Sequence, residues 1–529
     1  MSRAWRLPAL VVLVAVLVAA IVAERNESVA PTGSTAPLAV SMVAEPSAPG
    51  SIWYCAAGTA TGAATGVAEQ SVVIANITDD ESSGTVTVVT DGGRQESRPI
   101  TVPAHGTTTV RTSDVLRAPW AAVVVEATGG GIAVTQELRG PAGRTASDCA
   151  SSSAAQWWFP SGTSVAGARP TLLLFNPFPG EATVDVEFDT EDGARRPQQL
   201  QGYVVRGGQL AVVDVSEIVT LRERVSTSIE VRAGRVVANL IQATDGRNNT
   251  VGGLTFLPGS TVTAPIWTFP TSTPAVLASD EIVAIMNTGD TDAEVQVQVQ
   301  VDDPAANGTV EPFVVSVPAR RSLTVDLGSD ARIPPGVGRW LLVRASGGEP
   351  IVASRSVAVP RTATSGGLGA TIGVPIVATR WIGTVAVPSE TTTDFLSIVN
   401  PDPARVARVT VRLHGSGRVA DVDRLVAVAI PPGQRLVVGL ARSVTTRPAG
   451  PWEVVSDIPV VAGQWFGFAS PISLSTLGAY PLSGTFSSTA IVIGPDTPVD
   501  VAPAPRTDDT AVAPTTTTTP STTTTVAVN

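Results

Sequence analysis

Catalysis by a nucleophile, a histidine and an acid needs an imidazole, and this chain of 529 residues has only two. His105 sits in Pro103-Ala-His-Gly106 and His414 in Leu413-His-Gly415. Each precedes Gly where a hairpin turn is expected, and the two lie far apart in the chain. No nucleophile elbow accompanies either, so both read as solvated turn residues rather than as members of a triad. Glycoside hydrolysis needs only two carboxylates. The acidic groups that offer them are Asp79-Asp80-Glu81, Asp189-Thr-Glu191-Asp192-Gly193 and Asp302-Asp303. All fall between expected strands, where acids are ordinary loop content. The second faintly suggests a Ca²⁺ loop but lacks the twelve-residue ligand pattern. No phosphate loop, zinc motif or dinucleotide fingerprint is present, so no catalytic residue, metal ligand or cofactor is expected.

Cys55 and Cys149 are the two cysteines. In an exported chain an even count of this kind implies one disulfide. Export is suggested by the N-terminus: Arg3 and Arg6, then an uncharged run from Leu7 to Ala23, then Glu24-Arg25. As a helix that run rises about 25 Å, the short end of what spans a bilayer. The preceding Arg residues orient the C-terminal side of the run outward. The run serves either as a retained transmembrane helix or, cut near Val18-Ala19-Ala20, as a signal peptide. Both place the rest of the chain outside the cytoplasmic membrane.

The remaining composition describes what must position any site. Apolar residues make up 43% and charged residues 15%, with 48 Gly and 42 Pro. Val and Thr suit pleated strands, while Gly and Pro punctuate turns. Net charge is −11 and the chain contains no Lys, its Arg residues being scattered, as in Arg195-Arg196 and Arg320-Arg321. A nucleic-acid binder gathers its basic residues into a stripe, so nucleic acid is not an expected partner.

An apolar strand ending in Asn recurs four times, at Asn76, Asn176, Asn287 and Asn400. A Trp precedes each: Trp53, Trp157 or Trp158, Trp267 and Trp381. A strand-then-turn follows each, as at Val102-Pro103 and Val317-Pro318, and later Trp120, Trp340 and Trp452 open another apolar run. Shared spacing of this kind marks an internal repeat. About seven short strands per copy predict an all-β chain of four tandem immunoglobulin-like β-sandwich domains behind the N-terminal transmembrane or signal helix. In the fourth copy the last two of these strands are Trp452–Val455 and Val460–Phe468. The expected boundaries are a signal/anchor segment 1–24, a flexible stalk 25–50, sandwiches 51–156, 157–265, 266–380 and 381–495, and a disordered Thr/Pro-rich tail 496–529. The recurring Asn reads as a turn initiator and the recurring Trp as packing. Trp465 and one of Trp157 and Trp158 remain as candidates for glycan stacking. Asn26, Asn76, Asn248 and Asn307 begin short N-glycosylation patterns.

Trp53-Tyr54-Cys55 and repeat openings such as Trp157-Trp158-Phe159-Pro160 resemble a family of uncharacterised actinobacterial envelope proteins. In that family Pro usually follows the Cys, where this chain has Ala56. The resemblance implies an envelope location and no assigned activity. The expected function is therefore non-enzymatic: a scaffold or an interaction or adhesion ectodomain, tethered to the membrane by its N-terminal helix, whose partner is an envelope protein or a cell-wall polymer. The alternatives are a cell-wall carbohydrate-binding protein and an envelope glycan hydrolase.

Overall fold

Strict alternation of apolar and polar residues makes a half-buried strand, and Ala293–Val301 follows the rule: Ala293, Val295, Val297, Val299 and Val301 are buried and the residues between them are exposed or half-buried. The computed structural model describes residues 40–62, 67–247, 250–271, 279–302, 310–334, 336–362, 366–385, 391–415, 417–443, 450–469 and 471–487. The N-terminal apolar run, the Thr/Pro tail, Asn26, Asn248, Asp303 and Asn307 lie outside the described residues. Among the described residues no helix is long and apolar enough to cross a membrane.

The architecture is all-β, with several antiparallel sheets that pack in pairs. In the first repeat one sheet orders its strands Gly50–Cys55, Ala121–Thr128, Ser82–Thr90, Gln95–Val102; the other orders Thr107–Arg111, Glu69–Asn76, Ile132–Gly140, Gly143–Asp148. Counted within the repeat these are 1-6-3-4 and 5-2-7-8, and the third repeat has the same two orders. Trp53, Val72, Ile74, Val86, Val123 and Val134 from both sheets share one core. An immunoglobulin constant domain has sheets ABED and CFG, or 1-2-5-4 and 3-6-7. The 2–5 and 3–6 pairings are shared, but here the first strand pairs with the sixth, and an eighth strand joins the seventh.

The fourth repeat departs from expectation in a further way. The two strands expected at its end are one 18-residue strand, Trp452–Ala469. Its first part pairs with Arg380–Gly383 and Val409–Leu413, and its last part with Thr391–Val399 and Ile472–Gly478. Pro459, which has no N–H to give a ladder, sits where the strand leaves one sheet for the other. Two boundaries also shift. The expected 380/381 border falls inside the strand Val377–Gly383. The expected stalk ends early, because Val43 is fully buried in the first core and bridges Leu482.

The described residues form one compact unit, because the repeats do not extend in a row. One late strand of each repeat lies at a sheet edge: Gly143–Asp148, Gly253–Phe256, Gly367–Ile372 and Ile472–Gly478. Each of these four axial strands touches the next, and the fourth touches the first. Hydroxyls satisfy the facing edges, the groups that open edges leave unpaired. Arg144 and Ala146 donate their N–H to Ser473 Oγ and Ser475 Oγ (3.0 and 2.9 Å), and Thr476 Oγ1 donates to the Ala370 carbonyl (2.6 Å).

A second set of contacts recurs at each outer junction, between the end of a third strand and the start of the next repeat's fifth. Gly93 packs on Gln209 between the first and second repeats. Asp189 accepts from Arg321 Nε (2.5 Å) and the Ser322 N–H (2.7 Å) between the second and third. Asp302 accepts from Arg435 (2.7 and 2.6 Å) between the third and fourth. His414 meets His105 between the fourth and first, Nδ1 to Nδ1, at 2.9 Å. A head-to-tail contact repeated with a closing rotation makes a ring, and this one closes after four copies.

Candidate functional site

Two recurring residues define the frame around the ring's centre. The Asn of each repeat is buried and makes the same bonds. Asn176 Nδ2 donates to the Gly180 and Val205 carbonyls (2.7 and 3.0 Å), and its Oδ1 accepts the Phe178 N–H (3.0 Å). Asn76, Asn287 and Asn400 repeat the pattern, so the residue locks a turn to a neighbouring strand. Asn76, fully buried, has no room for a glycan. The repeat-opening Trp ties its two sheets together: Nε1 of Trp53, Trp157, Trp267 and Trp381 donates to the carbonyls of Ile132, Val236, Ile351 and Val460 at 2.8–3.1 Å.

At one end of the four axial strands lies a cavity of about 160 Å³. All four repeats line it, and Trp157, Trp267, Trp381 and Tyr480 contribute aromatic wall. The indole N–H groups are spent on backbone carbonyls, and with Trp267 and Trp381 1% exposed and Trp157 6%, Trp157 offers the most accessible surface of the three. One lining residue carries a charge, Asp148, the last residue of the first axial strand. At the equivalent ladder position the third repeat has Ile372 and the fourth has Gly478. A Cβ on Gly478 would lie 2.5 Å from Asp148 Oδ2, so Gly there makes room for the carboxylate.

Asp148 is held firmly. Its neighbour Cys149 forms the expected disulfide with Cys55. The Cys149 N–H donates to Tyr480 Oη (2.9 Å), and Tyr480 Oη in turn donates to the Val134 carbonyl. Yet Asp148 Oδ1 is shielded from solvent and has no hydrogen-bond partner among the described residues. Burial raises its carboxyl pKa to about 7, partly opposed by the Gly478 N–H. Burial, and then the charge of Asp148, hold the Tyr480 hydroxyl well above its usual range.

Asp148 as a whole is half-buried; Glu281, Glu453 and Asp189 are buried, and each has a cation. Glu281 is held between Arg355 (2.5 Å) and Arg339; burial pushes its pKa up, but the two guanidinium groups win and the net direction is down. Glu453 is treated likewise: burial raises it, His414 and Arg380 oppose, and the pKa falls to about 2. Asp189, in the loop that faintly suggests Ca²⁺, is taken by Arg321. No group of three or more His, Cys, Asp or Glu suited to a metal occurs among the described residues.

The histidines are not solvated turn residues. Both are 4% exposed and bond each other. His105 Nε2 lies 2.7 Å from Asp79 Oδ1, and His414 Nε2 lies 3.7 Å from Glu453 Oε2. They sit in the junction that closes the ring. Of the glycan-stacking candidates, Trp465 is 2% exposed and packs on Phe395, Val357 and Leu474, so it presents no free face. Trp158 is half-buried against the third core. Trp157 is buried, and it alone of the three lines the axial cavity. Sequence reasoning missed Asp148, whose one available signal was its place beside Cys149.

No curated protein matches the chain. Among solved structures, Thermotoga maritima 1070 is 26% identical, over 21% of this chain and 93% of that one, with a TM-score of 0.17. The Anabaena sensory rhodopsin transducer is 26% identical, over 17% of this chain and 93% of that one, with a TM-score of 0.15. Residues 122–366, from the sixth strand of the first repeat to the start of the third axial strand, are similar to a family of unknown function, DUF5719.

Proposed function

We propose that this protein is a non-enzymatic binding module of the cell envelope: four two-layer β units, held outside the cytoplasmic membrane by the N-terminal helix or released there, that present one central site. The observation that carries the reading is the axial cavity, where four repeats converge on a single carboxylate without a cation. The formed disulfide supports an oxidising compartment. An envelope protein or a cell-wall polymer is the partner class that fits such a location. The hydrolase alternative gains nothing from the cavity, since glycoside hydrolysis takes two carboxylates flanking the bond and the cavity is lined by one.

The test is photo-crosslinking in intact cells. A benzophenone side chain replaces Thr371, which lines the cavity, and in a control chain replaces Phe178, which is exposed on the second repeat. Adducts to an envelope component from position 371 and not from 178 are expected. Adducts from neither, or equally from both, contradict a central binding site.

A further inference from the structure

Resting on that reading, we propose that the axial cavity binds a small organic ammonium group, with Asp148 as its counter-charge and the uncharged, largely apolar lining around it as its wall. Three observations converge. Asp148 is the one charged residue lining the cavity, and its Oδ1 is buried without a partner. A carboxylate oxygen shielded from water without a partner costs free energy, and a well-placed cation offsets that cost. The rest of the lining is uncharged and largely apolar, with Trp157, Val237, Phe256, Ile372 and Val374 among it. An apolar lining takes the alkyl part of such a group while the carboxylate meets its charge. Finally, the size fits: a cavity of about 160 Å³ accepts a compact organic group, since a dry cavity of roughly this size holds benzene.

The symmetry of the ring sharpens the assignment. Were Asp148 only a packing residue, the matching positions would tolerate the same chemistry; instead they hold Ile372 and Gly478, and Gly478 leaves the space that the carboxylate needs. The disulfide and the Tyr480 bonds then fix the strand end that bears it. The carboxyl, raised to about 7 by burial, is part protonated at neutral pH, so arrival of a cation expels a proton.

The experiment is titration calorimetry on the full chain at pH 7 in sodium buffers of differing ionisation enthalpy. Choline and n-butylammonium are the probes, and 3,3-dimethyl-1-butanol is the uncharged isostere of choline. Binding of an ammonium probe is expected, at least tenfold tighter than the isostere, with release of about half a proton per site and at least tenfold loss in Asp148→Asn. Absence of binding by both ammonium probes, equal binding of choline and its isostere, or full affinity in Asp148→Asn each overturns the proposal. Crosslinks from position 371 without ammonium binding would leave the binding-module reading standing and this inference refuted.

Discussion

Asp148→Asn should stabilise the protein, and do so increasingly as pH rises from 4 to 7. The folded carboxyl titrates near 7 and its ordinary value is 3.8. Between those values the folded state holds a proton that the unfolded chain has lost. Stability therefore falls with rising pH, by about 1.4 kcal/mol per unit from this one group. Over roughly three units the loss reaches about 4 kcal/mol as an order of magnitude, complete above pH 7 and absent below pH 4. Asn keeps the shape and removes the titration. The assay is urea unfolding followed by Trp fluorescence at pH 4.5, 6 and 7.5, in acetate and phosphate buffers free of organic cations. The variant should match the parent at pH 4.5 and exceed it at pH 7.5. Equal pH slopes for the two proteins would refute the picture of a buried carboxylate without a counter-charge.

Three other outcomes are expected from the geometry. Glu453, held near 2, contributes stability that is present above its unfolded value and lost as pH falls toward 2, so Glu453→Gln should cost roughly 3 kcal/mol at pH 7 and much less at pH 2.5 by denaturant unfolding. Replacing Cys55 and Cys149 by Ala opens a loop of 94 residues and should cost about 4–5 kcal/mol in the chain-entropy account, read as a lowered urea midpoint that reducing agent no longer changes. The His105–His414 contact, Nδ1 to Nδ1 at 2.9 Å, holds the fourth repeat to the first. His105→Asn, whose side chain suits the φ of 48° at that position, removes that contact and should speed limited proteolysis relative to the parent.

The repeat was legible because its markers are local. Asn400 and Asn176 initiate turns within a few residues, and Trp381 reaches a carbonyl 79 residues on, inside its own repeat. Periodicity in Val295–Val301 announces a half-buried strand for the same reason. Ring closure has no such signal. Ser475 against Ala146 and His414 against His105 are contacts across more than three hundred residues, made by hydroxyls and imidazoles that look like solvated turn residues in one dimension. Trp465 matches no repeat marker and so looks exposed in the sequence, but the packing of the fourth repeat on the third buries it. Asp148 is invisible there because its meaning lies in what surrounds it: its peers, Ile372 and Gly478, are comparable only once the strand registers are known.

Closure of the first repeat on the fourth supports both the cavity and its proposed ligand, and one crosslink reads it directly. Thr135 Oγ1 and Thr384 Oγ1 touch at 2.8 Å across that junction, both buried. With Thr135→Cys and Thr384→Cys in one chain, a disulfide between them should form within the monomer, visible by mass spectrometry after proteolysis. Free thiols at both positions, or a bond found only between chains, would contradict the ring.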